Sequence, residues 1–264
     1  MATQTAPPVR IPLPQEHGGW AMLLTPVVIA LVIGRFQPLG VMALLGWVSA
    51  YCLRGSVEVL LGHGASGKAG MARSTPQAAY MGLLLFGGLA VVFLGPVVIL
   101  RPVALIPLAV AALALGLVQL LANRGLTRSM AAGLLAATGL MAGGPLFFLA
   151  AQGQVTARGW TLALAGFAFF GGSVFRVKTL ARERRSRGFR ELSVAVHALA
   201  VAAAAGAAAL GLANWLVPLA LLAPLVWSIY GATKAGEAMS LAVIGKGEQW
   251  LTIAFGLLLL VALF

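Results

Sequence analysis

The residues of this chain best suited to chemistry fall in three short stretches. In PQEHGGWAMLLTP, Glu16 and His17 stand next to each other just before an apolar run. In YCLRGSVEVLLGHGASGKAGMARS, Arg54 and Glu58 are four residues apart, followed by His63, Lys68 and Arg73. In SVFRVKTLARERRSRGFRELSVAVH, seven of the 18 cations fall within Arg176–Arg190, with Glu183, Glu191 and His197 nearby. Carboxylates and imidazoles can move protons. Arginine forks match the geometry of carboxylates and phosphates. The candidate acid–base groups are therefore Glu16, His17, Glu58 and Glu183, and the candidate anion-binding groups are Arg54, Arg73, Arg176, Lys178 and Arg182.

Each stretch also has a plainer reading. Glu16 suits the positive end of a helix dipole. Arg54 and Glu58 share one face of a helix continuing out of a span, where an ion pair lowers the cost of charge. His63 reads as a solvated loop residue, and Lys68 and Arg73 set topology. The run at 176–190 attracts anionic lipid headgroups whatever else it does. If one helix continues through that run, Arg176, Thr179 and Glu183 share a face at i, i+3, i+7. His197 reads equally as a hydrogen bond between helices or as a cavity residue.

The elements that carry these residues are membrane spans. Of 264 residues, 61% are hydrophobic and 9% charged, and the mean hydropathy is +0.98. Soluble domains carry roughly 25% charged residues, so the bilayer is the solvent for most of this chain. A spanning helix takes about 20 apolar residues. Nine runs qualify: Trp20–Ile33, Leu39–Leu53, Met81–Leu100, Val103–Leu121, Met130–Ala151, Trp160–Phe175, Leu192–Leu212, Trp215–Ile229 and Trp250–Phe264. They are long, Leu/Ala-rich and without period-2 alternation, which argues against strands. The expected fold is an all-α polytopic bundle of about nine helices, one integral membrane domain over 1–264, with 1–15 as a cytoplasmic tail. The tail lacks the pattern of a cleavable signal.

The connections sort by charge. Fifteen cations fall on one side of such a bundle, and Arg35, Arg101 and Arg158 on the other. The positive-inside rule puts the N-terminus in the cytoplasm of a bacterial inner membrane and the C-terminus outside. The formal charge of +12 then concerns topology and lipid, not nucleic acid. Trp20, Trp160, Trp215 and Trp250 mark span ends as an aromatic belt. The pairs Gly87-Gly88, Gly143-Gly144 and Gly171-Gly172 suit close helix packing. Cys52 is the single cysteine, so no internal disulfide or cysteine metal cluster exists.

The opening PQEHGGWAMLLTP resembles the EHG-x-W-A-M-L-L start of the YwiC-like family of bacterial membrane proteins. The basic segment FRVKTLARERRSRGFRELSVAVH is similar to that family's as well. More distantly, the chain resembles the UbiA superfamily of intramembrane prenyltransferases. ARSTPQAAYMGLLLFGG is similar to the segment entering its third helix, and RSRGFRELSV to its G-K-R-T-L-A-V stretch entering the seventh. That resemblance implies nine helices and a cytoplasm-facing site at the loops after the second and sixth. It implies a lipid or isoprenoid partner with an anionic, diphosphate-like head. UbiA enzymes hold magnesium through N-D-x-x-D-x-x-x-D and D-x-x-x-D motifs. Here those zones offer Arg54 and Glu58, then Arg176, Thr179 and Glu183, and the chain has no aspartate. Magnesium is therefore not expected, with fixed cations in place of its charge. Two other functions remain open on sequence: a small-anion transporter, and a structural subunit of a membrane complex.

Overall fold

A computed structural model describes residues 11–14, 17–62, 75–126, 129–234 and 239–264, with the side chain of His17 excepted. The helices are α1 His17–Ile33, α2 Pro38–Leu60, α3 Pro76–Leu100, α4 Leu105–Asn123, α5 Met130–Met141, α6 Gly143–Gln152, α7 Ala157–Ala181, α8 Arg187–Ala209, α9 Leu216–Thr233 and α10 Leu241–Leu263. A 3-10 turn, Pro102–Ala104, leads into α4. Among the described residues eight helical segments are long and apolar enough to cross a membrane, α5 and α6 together forming one of them. The shorter α1 makes the ninth. Large apolar side chains face outward along these segments, among them Leu84, Ile99, Leu113, Leu164 and Leu199. Water would penalise so broad an apolar surface, whereas lipid tails do not. The protein is a multi-pass helical membrane protein.

Several helices run past the ends of their apolar cores because intrahelical hydrogen bonds do not stop where hydropathy falls. α2 extends from the expected Leu53 to Leu60, and α7 from Phe175 to Ala181, so Arg54, Glu58, Arg176 and Lys178 are all helical. α10 begins at Leu241 rather than Trp250, which takes Lys246 and Glu248 out of the loop and into the helix. Hydroxyl caps set some of these starts. Ser129, Ser186 and Ser240 accept from the backbone N–H three residues on, which satisfies an otherwise orphaned donor.

The expected span Met130–Ala151 is interrupted at Ala142. Pro145 has no N–H to offer the Met141 carbonyl, and Gly143 and Gly144 precede it. Gly143 packs so tightly that a Cβ there would lie 3.0 Å from Trp47 Nε1, an indole nitrogen buried without a hydrogen-bond partner. Beside the break, an apolar crevice of about 320 Å³ is lined by Val110, Thr138, Met141, Pro145, Trp160 and Phe167 among others.

The two ends of the bundle differ in charge. Arg101 lies against Gly153, and Arg158 donates to the Phe264 carbonyl at 3.3 Å. These contacts gather the sparsely charged connections and the C-terminus at one end. The basic α7–α8 connection lies at the other, together with the 11–14 segment, whose Pro12 packs on Gly55. Trp250, nine residues into α10 rather than at its start, is exposed, as are Trp160 and Trp215 near the starts of α7 and α9. Trp20 is not: its Nε1 donates to the Pro14 carbonyl at 3.1 Å and its ring meets Tyr51 edge-on. Gly88 departs from the packing expectation too, since a Cβ there would meet nothing within 4 Å.

Candidate functional site

Four helices bring a polar cluster into the protein interior at the basic half of the bundle. Arg176 on α7 is 1% exposed and is among the largest fully buried side chains. Its Nε donates to Glu248 Oε1 at 2.7 Å and its Nη2 to Oε2 at 2.6 Å. This is the bidentate arrangement that a planar guanidinium makes best. Nη1 stands 2.7 Å from His197 Nε2 on α8. An arginine has no acceptor, so Nε2 accepts and the imidazole is the neutral tautomer with its proton on Nδ1. Nδ1 in turn donates to the Ser193 carbonyl at 2.7 Å. Ser193 and Ser228, the latter on α9, share a hydrogen bond at 3.0 Å. The guanidinium also lies over the Phe169 ring, 5.7 Å from its centroid.

Local sequence explains this arrangement. Gly172 leaves room for the imidazole: a Cβ there would lie 2.9 Å from His197 Nε2. Ser193 and His197 are one turn apart and point the same way. They and Ala208 are the buried residues of α8, the rest of which faces outward or is half-buried. In lipid no hydrophobic drive holds such a helix in place, and polar bonds do more of the docking.

The UbiA resemblance implied one cytoplasm-facing site drawing on Arg54 and Glu58 together with Arg176, Thr179 and Glu183. The structure instead gives each arginine its own carboxylate. Arg54 Nε donates to Glu58 at 2.6 Å along α2, with both side chains about one-sixth exposed. Arg176 pairs with Glu248, 72 residues away. No extensive packing joins α2 to α7 among the described residues; α1 and α6 pack against both. Glu183 does not continue the Arg176–Thr179 face, because α7 ends at Ala181 and the Lys178 carbonyl accepts from both Arg182 and Glu183 N–H. Thr179 is buried and bonds back to the Phe175 carbonyl.

The other described cations of the 176–190 run lie on the end of α7, the connection and the start of α8. Lys178 lies over the Phe189 ring at 5.6 Å, and Phe175 stacks on that same ring. Arg190 donates to the Arg184 carbonyl at 2.6 Å. Arg187 pairs with Glu191 on the surface at 2.8 Å, a contact of small energetic consequence. Arg182 and Arg185 are exposed. Glu16, Arg73, His63 and Lys68, and the side chain of His17, lie outside the described residues. No group of three His, Cys, Asp or Glu side chains is placed to hold a metal among the described residues. Sequence reasoning missed Glu248, Ser193 and Ser228. The available signal was Glu248 itself, a lone carboxylate two residues before Trp250 and so within half a turn of an expected span.

The "Uncharacterized protein YwiC" of Bacillus subtilis (strain 168) is 29% identical over 188 residues, covering 71% of this chain and 74% of that protein. No solved structure matches the chain. The model of the YwiC-like protein family matches residues 13–148, the stretch from the Pro14–Pro26 motif through the break between α5 and α6. Arg176, His197 and Glu248 lie beyond that stretch. With just over half of its length matched, and the EHGGWAMLL opening inside the match, the chain belongs to the YwiC-like family.

Proposed function

We propose that this YwiC-like protein sits in the bacterial cytoplasmic membrane, N-terminus inside and C-terminus outside, and that its basic end binds, and in the enzyme reading modifies, lipids with an anionic, phosphate- or diphosphate-bearing head. One observation carries the reading: the α7–α8 connection is a built basic surface above a neutralised interior pair. Stacking of Phe175 on Phe189 and the Arg190–Arg184 bond hold the connection in shape, while Arg182 and Arg185 stay exposed. Each cation at a membrane surface contributes about 1 kcal/mol toward an anionic head. An isoprenoid diphosphate is the fuller form of this ligand, in keeping with the UbiA resemblance. Orientation is read by reporter fusions at Ser129, Ser186 and Phe264; the first two are expected inside and the last outside.

Native mass spectrometry on protein released from mixed phosphatidylglycerol and phosphatidylcholine nanodiscs tests the binding. Phosphatidylglycerol is expected to be retained preferentially. Replacing Arg182, Arg184 and Arg185 together by glutamine should weaken that preference by roughly two orders of magnitude at low salt. Chelation of divalent metal should leave it unchanged, because the chain lacks the aspartate-rich motifs and its described carboxylates are not grouped to hold a hard cation. Equal retention of both lipids, or loss with chelator and recovery with magnesium, contradicts the reading.

A second reading, transport of a small anion, is favoured by the interruption of the fifth span at Ala142. Broken helices at mid-membrane are how many transporters build their binding sites. Anion-driven uptake into sealed vesicles separates the two.

A further inference from the structure

We infer that Arg176 is the receptor for the anionic group itself, and that Glu248 occupies the fork in the absence of ligand and gives way to it. The inference rests on the lipid-head reading and names its site. The chemistry is that of one planar fork and two interchangeable oxyanions. A guanidinium meets a carboxylate and a phosphate with the same pair of parallel N–H bonds.

The two partners are held unequally. Besides Glu248, Arg176 is held by two neighbours: His197 Nε2 accepts from its Nη1 and the Phe169 ring lies beneath it, while Gly172 leaves the space that the imidazole occupies. It is 1% exposed, whereas Glu248 is 18% exposed. Glu248 also rides on the first turns of α10, in the sequence Ile244-Gly245-Lys246-Gly247-Glu248. A Cβ at Gly245 would meet nothing within 4 Å, while Gly247 packs closely on Trp227 and Ile244 is buried, so the helix start is anchored on one side and open on the other. Two glycines in a helix start lower its local stability. The carboxylate can withdraw while the guanidinium stays aimed.

An arginine below the headgroup layer is costly without a counter-charge. The fork is therefore occupied at all times, by Glu248 at rest and by the ligand's oxyanion when it is bound. The exposed Arg182 and Arg185 lie on the connection that follows Arg176 out of α7 and concentrate anions there.

The test uses the full chain in nanodiscs and the variants Glu248→Gln, Arg176→Gln and Arg176→Lys. In phosphatidylcholine discs the protein is titrated with inorganic phosphate; in a second series the phosphatidylglycerol content is raised. Glu248→Gln removes the competing charge and should tighten binding roughly tenfold, the size of one charge-assisted hydrogen bond. Arg176→Gln should weaken it by at least as much. Arg176→Lys keeps the charge and loses the fork; it should also bind more weakly, and it decides the matter if the other variants do not fold. Response to inorganic phosphate supports the inference with a free anion as ligand, and response to phosphatidylglycerol alone supports it with a headgroup. If the wild type retains phosphatidylglycerol but every folded variant binds within about twofold of it, the exchange is wrong and the lipid-head reading stands. If the wild type shows no preference for anionic lipid or phosphate, both fall.

Discussion

Replacing Glu248 by alanine should destabilise the protein by about 3–5 kcal/mol, the usual cost of leaving one member of a buried ion pair without its partner. A guanidinium keeps its charge in proteins, and at 1% exposure Arg176 cannot reach water. His197 offers an acceptor but no charge. The double variant Arg176→Met/Glu248→Leu should recover most of the loss, since well-packed apolar residues often replace a buried pair at little cost. Reversible unfolding in bicelles of the wild type, Arg176→Met, Glu248→Leu and the double variant gives the cycle, with Glu248→Ala measured beside them. A single-variant cost below about 1 kcal/mol, as for a surface pair, would show that the two side chains do not meet inside the bundle.

Gly55→Ala is the second substitution expected to act strongly. The Ile11–Pro14 segment lies across α2 there, and a Cβ on Gly55 would stand 2.6 Å from the Pro12 carbonyl oxygen and 3.0 Å from its carbon. These are backbone atoms, so no rotamer change relieves the clash, and overpacking of this kind costs about 1–3 kcal/mol. The segment would be displaced together with the Pro14 carbonyl that receives Trp20 Nε1. Gly88→Ala is the matched control, because nothing lies within 4 Å of its Cβ position. It should not destabilise the protein, and its better helix propensity should stabilise by up to about 1 kcal/mol. Equal effects in the same unfolding assay would mean that the 11–14 segment does not pack on α2.

Span number and the sorting of charge were legible in the sequence because both follow from composition over about 20 residues. Helix ends were less legible. An apolar run stops at the first charge, whereas the helix stops where its backbone bonds do, and Ser186 and Ser240 cap α8 and α10 well outside the runs. Arg54–Glu58 was readable because both partners lie one turn apart on one helix. Arg176–Glu248 was not, since pairing over 72 residues depends on which helices pack together. His197 showed the limit most clearly. Of its two sequence readings the structure takes the first: it bonds between helices, to Arg176, while its other nitrogen bonds back within α8. Glycine pairs were an uneven guide: Gly143 and Gly172 each admit a neighbouring side chain, while Gly88 admits none.

The distance between Arg176 Cζ and Glu248 Cδ, measured by solid-state NMR in bilayers on protein labelled at those two carbons, tests the exchange at Arg176 most directly. In phosphatidylcholine alone the pair should be in contact, as the 2.6 Å separation of Nη2 and Oε2 requires. Raising the phosphatidylglycerol content, or adding inorganic phosphate, should lengthen that distance as phosphorus coupling to the guanidinium carbon appears. A pair that stays in contact while anionic lipid is bound, with no phosphorus near Arg176, would contradict the account.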